Sequence, residues 1–185
     1  MKKCLILILS IVFVFCFAAC SDNKTRTNQD FTDVKYYADL GQINGVDCKL
    51  GESAESAKQK LDAAEQASDD AEEQFVYDYQ AGDYTVLTNG TVCCCYKTDG
   101  DGSNITHIVK YGDAYGFKQG AVSIEVRDTM NQAGYTARER DAQSGELFFL
   151  PSGGSYTVLQ YDFDKNSVLF VFEENALCAT VVYAK

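Results

Sequence analysis

Tyr84-Thr85-Val86-Leu87 recurs as Tyr156-Thr157-Val158-Leu159, about 70 residues further along the chain, and the two copies organise what surrounds them. Each follows a glycine-containing turn, Ala81-Gly82-Asp83 in one case and Gly153-Gly154-Ser155 in the other. Each leads into a β-rich run, residues 92–96 and 168–172, and then into another, residues 104–111 and 176–184. A further strand is expected ahead of each copy, near residues 75–80 and 146–150. Asn89-Gly90 predicts a tight primed hairpin in the first copy, and residues 162–166 a longer turn in the second.

Helical spacing precedes both strand sets. Ala54, Ala57, Leu61 and Ala64 fall on one helix face, as do Val122, Val126, Met130 and Ala133. Gly51 and Gly120 stand just ahead of these segments, and Gly134 marks a stop for the second. The expected fold is therefore α+β, two tandem repeats of one helix followed by about four antiparallel strands, over residues 34–118 and 119–185. Within the first repeat, residues 34–50 are mixed in pattern and assign no element.

This tandem helix-plus-meander pattern, over residues 46–185, resembles the beta-lactamase inhibitor proteins and the SmpA/OmlA outer-membrane lipoproteins, the latter with one unit. The resemblance rests on the pattern of elements. It implies protein binding through the sheet, with no catalysis, and transfers no contact residue.

The amino terminus carries a different signal. Lys2 and Lys3 precede a stretch, residues 4–19, that is apolar except for Ser10, as in a secretory signal peptide. The stretch is shorter than the ~17 to 25 residues of a spanning helix, and no basic stop-transfer cluster follows. Phe17-Ala18-Ala19-Cys20 resembles the lipobox of bacterial lipoproteins, with Phe17 where the family usually has Leu. The resemblance implies cleavage after residue 19 and a diacylglyceryl thioether on Cys20, whose two or three acyl chains hold a protein on a membrane where one chain would not. Residues 20–33, rich in Ser, Asp, Asn and Thr, read as a flexible tether, and the expected location is extracytoplasmic and lipid-anchored.

Composition narrows the function. With 16 Lys+Arg against 27 Asp+Glu the formal charge is −11, and loss of Lys2 and Lys3 would make the remainder more acidic, which disfavours nucleic acid and anionic lipid headgroups as partners. His107 is the sole histidine and lies in an alternating strand pattern with Ile105, Val109 and Tyr111, as a partly buried strand residue does. No nucleophile-elbow, zinc-helix or P-loop string occurs. Asp162-Phe163-Asp164-Lys165-Asn166-Ser167, with Glu173, approaches a calcium loop but has Ser167 where the sharp turn needs glycine, so a hairpin turn is expected there. Neither cofactor nor metal is expected, and no catalytic residue is assigned. Cys48, Cys93, Cys94, Cys95 and Cys178 read first as small core residues. In an oxidising compartment Cys48 or Cys178 could instead pair with one of the triplet.

The expectation is a non-enzymatic, tethered lipoprotein that binds a protein or another envelope component. A structural envelope lipoprotein without a mobile ligand, or a carboxylate-dependent hydrolase, are the alternatives. Val168-Leu169-Phe170-Val171-Phe172 and Val92-Cys93-Cys94-Cys95-Tyr96 are apolar on both strand faces, so something must cover the second face. Either the repeats or the N-terminal segment do so, or part of the sheet is an exposed aromatic patch for a partner. The candidate contributors to that patch are Tyr84, Tyr96, Tyr111, Tyr156 and Tyr161.

Overall fold

The computed structural model describes residues 28–66, 76–97, 103–143 and 145–185. The signal segment, Cys20 and the first part of the tether lie outside the described residues. Among these residues no helix is long and apolar enough to cross a membrane. Among the described residues, three helices, α1 (Asn28–Leu40), α2 (Ala54–Gln66) and α3 (Ser123–Gln132), pack with eight strands. The strands are β1 (Tyr77–Ala81), β2 (Tyr84–Thr88), β3 (Val92–Lys97), β4 (His107–Tyr111), β5 (Arg138–Asp141), β6 (Tyr156–Asp162), β7 (Asn166–Glu173) and β8 (Ala176–Ala184). They form one antiparallel sheet in the order β1-β2-β3-β4-β8-β7-β6-β5. Two four-stranded meanders thus meet along β4 and β8, with His107 opposite Tyr183 and Tyr111 opposite Ala179.

Each helix has a local cause. α1 begins inside the stretch read as tether. It buries Val34 and Ala38, one turn apart, and ends at Gly41, where φ is +68° and the Gly41 and Gln42 amides return to Ala38 and Tyr37 carbonyls. Ser53 caps α2, accepting from the Ser56 amide at 3.2 Å, and Ala54, Ala57 and Leu61 are buried whereas Ala64 is exposed. Val122 ahead of α3 offers no side-chain cap. Asn175 supplies it from the β7–β8 turn, its Oδ1 accepting from the Ser123 amide and hydroxyl at 3.2 and 2.6 Å.

Turn chemistry departs from expectation in one place. Residues 89–91 join β2 and β3 with only Gly90 in the left-handed region, and the Asn89 side chain closes the loop by accepting from the Thr91 and Val92 amides. The primed two-residue hairpin is instead Glu174-Asn175, both with positive φ, between β7 and β8.

Alternation divides the sheet into two buried faces. On the first, the helices and residues 41–50 cover Leu87, Cys94, Ile108, Leu159, Phe170 and Val182. Tyr115, at φ +52°, pins that covering segment: its hydroxyl donates to the Gln42 carbonyl at 2.8 Å, and its amide donates to Asn44 Oδ1 at 2.6 Å. On the second face lie Val86, Cys93, Cys95, Val109, Val158, Leu169, Val171 and Val181, packed beneath Leu147 and Phe149.

The cover for the second face is the β5–β6 connection. Residues 146–150, expected to be a strand, form consecutive turns, and the strand of that meander is Arg138–Asp141. Gly145, Pro151, Gly153 and Gly154 interrupt extended pairing around Leu147-Phe148-Phe149-Leu150. Folding back lets Leu147 and Phe149 leave water by lying on the sheet, which a terminal strand position would not achieve. Arg140 anchors this flap through paired hydrogen bonds to Glu146, whose carboxylate also accepts from the Gln143 amide at 2.9 Å.

Candidate functional site

Aromatic rings collect where the flap leaves the second face open. Tyr84 opens β2, His107 opens β4, and Tyr183 lies opposite His107 on β8. From the flap, Phe148 stacks on Tyr84 with centroids 4.2 Å apart and planes at 4°. The His107 ring stands edge-on to Tyr84 at 5.3 Å and to Phe148 at 5.6 Å, and lies nearly parallel to Tyr183 at 5.7 Å. Lys97 places its ammonium 5.6 Å from the Tyr84 centroid, within reach of a cation–π contact. These four rings are partly exposed.

Strand β1 extends the surface. Tyr79 pairs with Val86 and Tyr77 with Thr88, so both rings project on the second face, where they are 36% and 56% exposed with centroids 6.3 Å apart. Burial, with Cys93 and Cys95 adding to it, pushes the Tyr79 phenol up to about 12. The phenol is neutral over the physiological range.

Of the five tyrosines expected to share one patch, three lie on the same face of the sheet. Tyr84, Tyr111 and Tyr156 are on the second face, half-buried. The Tyr111 hydroxyl donates to the Phe149 carbonyl at 2.7 Å and that of Tyr156 to the Pro151 carbonyl at 3.3 Å, so both hold the flap down. Tyr161 is only 1% exposed and lies beneath the helices, edge-on to Phe170 at 5.8 Å, and Tyr96 packs against the same helix-side core. Strand parity is the reason: Tyr161 stands an odd number of positions from Tyr156 on β6, and Tyr96 is opposite Thr85, the neighbour of Tyr84. Tyr161 and Tyr96 therefore leave the expected face, Tyr84, Tyr111 and Tyr156 stay on it, and Tyr77, Tyr79, His107, Phe148 and Tyr183 share it. Tyr77 and Tyr79 were legible as an i, i+2 pair. Phe148 was not, because its position depends on the flap.

No known protein family, curated protein or solved structure matches the chain. The chemistry of the surface is accordingly read from its own residues. Burial, and to a smaller extent Lys97, lowers the His107 imidazole to about 4, and Thr106 Oγ1 lies 3.0 Å from its Nδ1. A ring so desolvated is uncharged near neutral pH and presents its π face as the tyrosines do. The flap itself, with Asp141 and Tyr156 at its ends, lines a cleft of about 570 Å³ between Gln143, Phe148, Pro151 and Tyr156. At its edge the Tyr156 ring lies over Gly154, where an added Cβ would come within 2.5 Å of the ring end and displace it.

Proposed function

We propose that the chain is a bacterial lipoprotein, anchored through lipid on Cys20 at the outer face of a membrane, and that it binds a protein or envelope partner through the aromatic second face of its sheet without catalysing a reaction. The observation that carries this reading is the set of rings on one sheet face, Tyr77 and Tyr79 exposed and Tyr84 and Phe148 partly exposed, on a sheet whose strands are hydrogen-bonded across its whole width. Large amphipathic rings lose little side-chain entropy on binding and supply much of the energy of recognition surfaces. The lipobox-like Phe17-Ala18-Ala19-Cys20 supports the anchor.

Duplication of one ancestral unit belongs to the same proposal. Each meander follows a helix, α2 or α3, and each has the Tyr-Thr-Val-Leu segment as its second strand. The units differ chiefly at the first hairpin, which is Gly82-Asp83 in one and the flap, residues 142–155, in the other. The pattern is the one that resembles the inhibitor proteins and SmpA/OmlA lipoproteins, for which the sheet is the binding surface.

A photo-crosslinking residue at position 79, on the exposed rings, should trap one membrane-associated protein at native expression, and the same residue at Lys58 on exposed α2 should not. Equal labelling from both positions, or none from position 79, would refute the binding face.

A further inference from the structure

Among the described residues, Cys48 and Cys94 are the cysteines that share the helix-covered core. Cys48 lies between α1 and α2, 1% exposed, with its thiol against the Ala57 carbonyl of α2 at 3.8 Å. Cys94 is fully buried on the helix-covered face of β3, in the same core and beneath the same helix. The two thiols are close enough to interact, and Cys48, followed by burial, raises the Cys94 thiol and keeps it protonated.

The other cysteines among the described residues are excluded by geometry. Cys93 and Cys95 point to the opposite face, into the core beneath the flap. Cys178 is the extra residue of a bulge on β8, where Val171 pairs with Ala179 and Phe172 with Leu177. β4 lies between β8 and β3, and two strand spacings of about 4.8 Å exceed the reach of a disulfide. Within the triplet, neighbours face opposite ways and Cys93 and Cys95 are held two residues apart along an extended strand.

We propose that Cys48 and Cys94 are the site of an intramolecular disulfide, made by exchange with an external disulfide of the glutathione or oxidised-dithiol class. The Cys48 thiolate attacks one sulfur of that donor, forming a mixed disulfide and expelling a thiolate. The Cys94 sulfur, losing its proton, then attacks the Cys48 sulfur and expels the second thiolate. Two protein thiols lose two electrons and two protons; the donor disulfide gains them and leaves as two thiols. Both sulfurs are buried in the finished fold, so exchange precedes closure of residues 41–50 over the sheet. The bond staples this segment and α2 to the centre of the first meander, with Cys93, Cys95 and Cys178 remaining thiols. Its formation in the cell rests on the proposed export, since an oxidising compartment supplies the donor.

The test uses full-length protein purified from membranes, reduced, unfolded and refolded in detergent with a reduced/oxidised glutathione buffer. Peptide mapping should join the Cys48 peptide to the Cys94 peptide, both in the unaltered chain and when Cys93 and Cys95 are changed together to Ser. Cys178→Ser should keep the link and Cys48→Ser should abolish it. Oxidised protein should melt roughly 6 to 15 °C above reduced protein, with no difference in Cys48→Ser. A link to Cys93, Cys95 or Cys178, or none at all, overturns the proposal. A link made on refolding but missing from freshly isolated, alkylated protein leaves the pairing standing and counts against export instead.

Discussion

Tyr84 and Phe148 lie face to face with 4.2 Å between ring centroids, and this stack joins the second strand of the first meander to the flap of the second. Phe148→Ala removes one half of it and uncovers part of the apolar face below. The expected cost is about 1 to 3 kcal/mol, less than for a fully buried phenylalanine because the ring is partly exposed. Urea denaturation should show that loss, and hydrogen exchange should rise first in residues 146–150. Unchanged protection there would mean that the stack does not secure the flap.

His107 is the sole imidazole in the chain, so one ring resonance reports it without assignment by mutation. Its midpoint should be about 4, below its ordinary 6.5, because burial and then Lys97 oppose the charged form. The sign for stability follows. Its contribution is fully present above the unfolded value near 6.5 and is lost as pH falls toward 4, because the unfolded chain binds the proton first. A midpoint near 6.5 would place the ring in water, outside the aromatic cluster.

Glu146 holds the flap by a different force. Arg140, and then burial in the opposite sense and the Gln143 amide, leave its carboxyl below the ordinary 4.5. The stabilisation is present above that ordinary value and disappears as pH falls through the lowered one. NMR contacts between the Phe148 and Tyr84 rings should therefore weaken in acid. In Glu146→Gln they should be weaker at neutral pH and change less on acidification; wild-type pH dependence in that variant would assign the effect to another group.

Tyr161→Phe tests the correction to the binding face. The Tyr161 hydroxyl is buried and, among the described residues, finds no hydrogen-bond partner. Its removal should leave stability unchanged or raise it by up to about 1 kcal/mol, and should not alter the surface labelled from position 79. A loss above about 2 kcal/mol would reveal a partner for that hydroxyl.

Cys20→Ala addresses the anchor. The variant should fail to incorporate a labelled fatty acid and should accumulate as precursor or as soluble product, while Cys16→Ala should be processed normally. Acylated, membrane-bound Cys20→Ala protein would remove the lipobox reading.

The α+β class was legible because its signals are local. Val126 and Met130 are one turn apart on a helix, and the Tyr-Thr-Val-Leu copies carry β propensity between turn-forming glycines, so both elements lie where their own residues favour them. The apolar runs at residues 92–96 and 168–172 also declared that both sheet faces had to be covered. What covered the second face was decided by tertiary structure. Leu147-Phe148-Phe149-Leu150 has the composition of a strand, and only the presence of a bare apolar face nearby makes folding onto it better than pairing at an edge. The same competition moved Phe148 beside Tyr84 and made the candidate surface. Register decided the remainder: one position along a strand separates a ring in solvent from a ring in the core, which is why Tyr84 is on the candidate surface while Tyr161 lies beneath the helices.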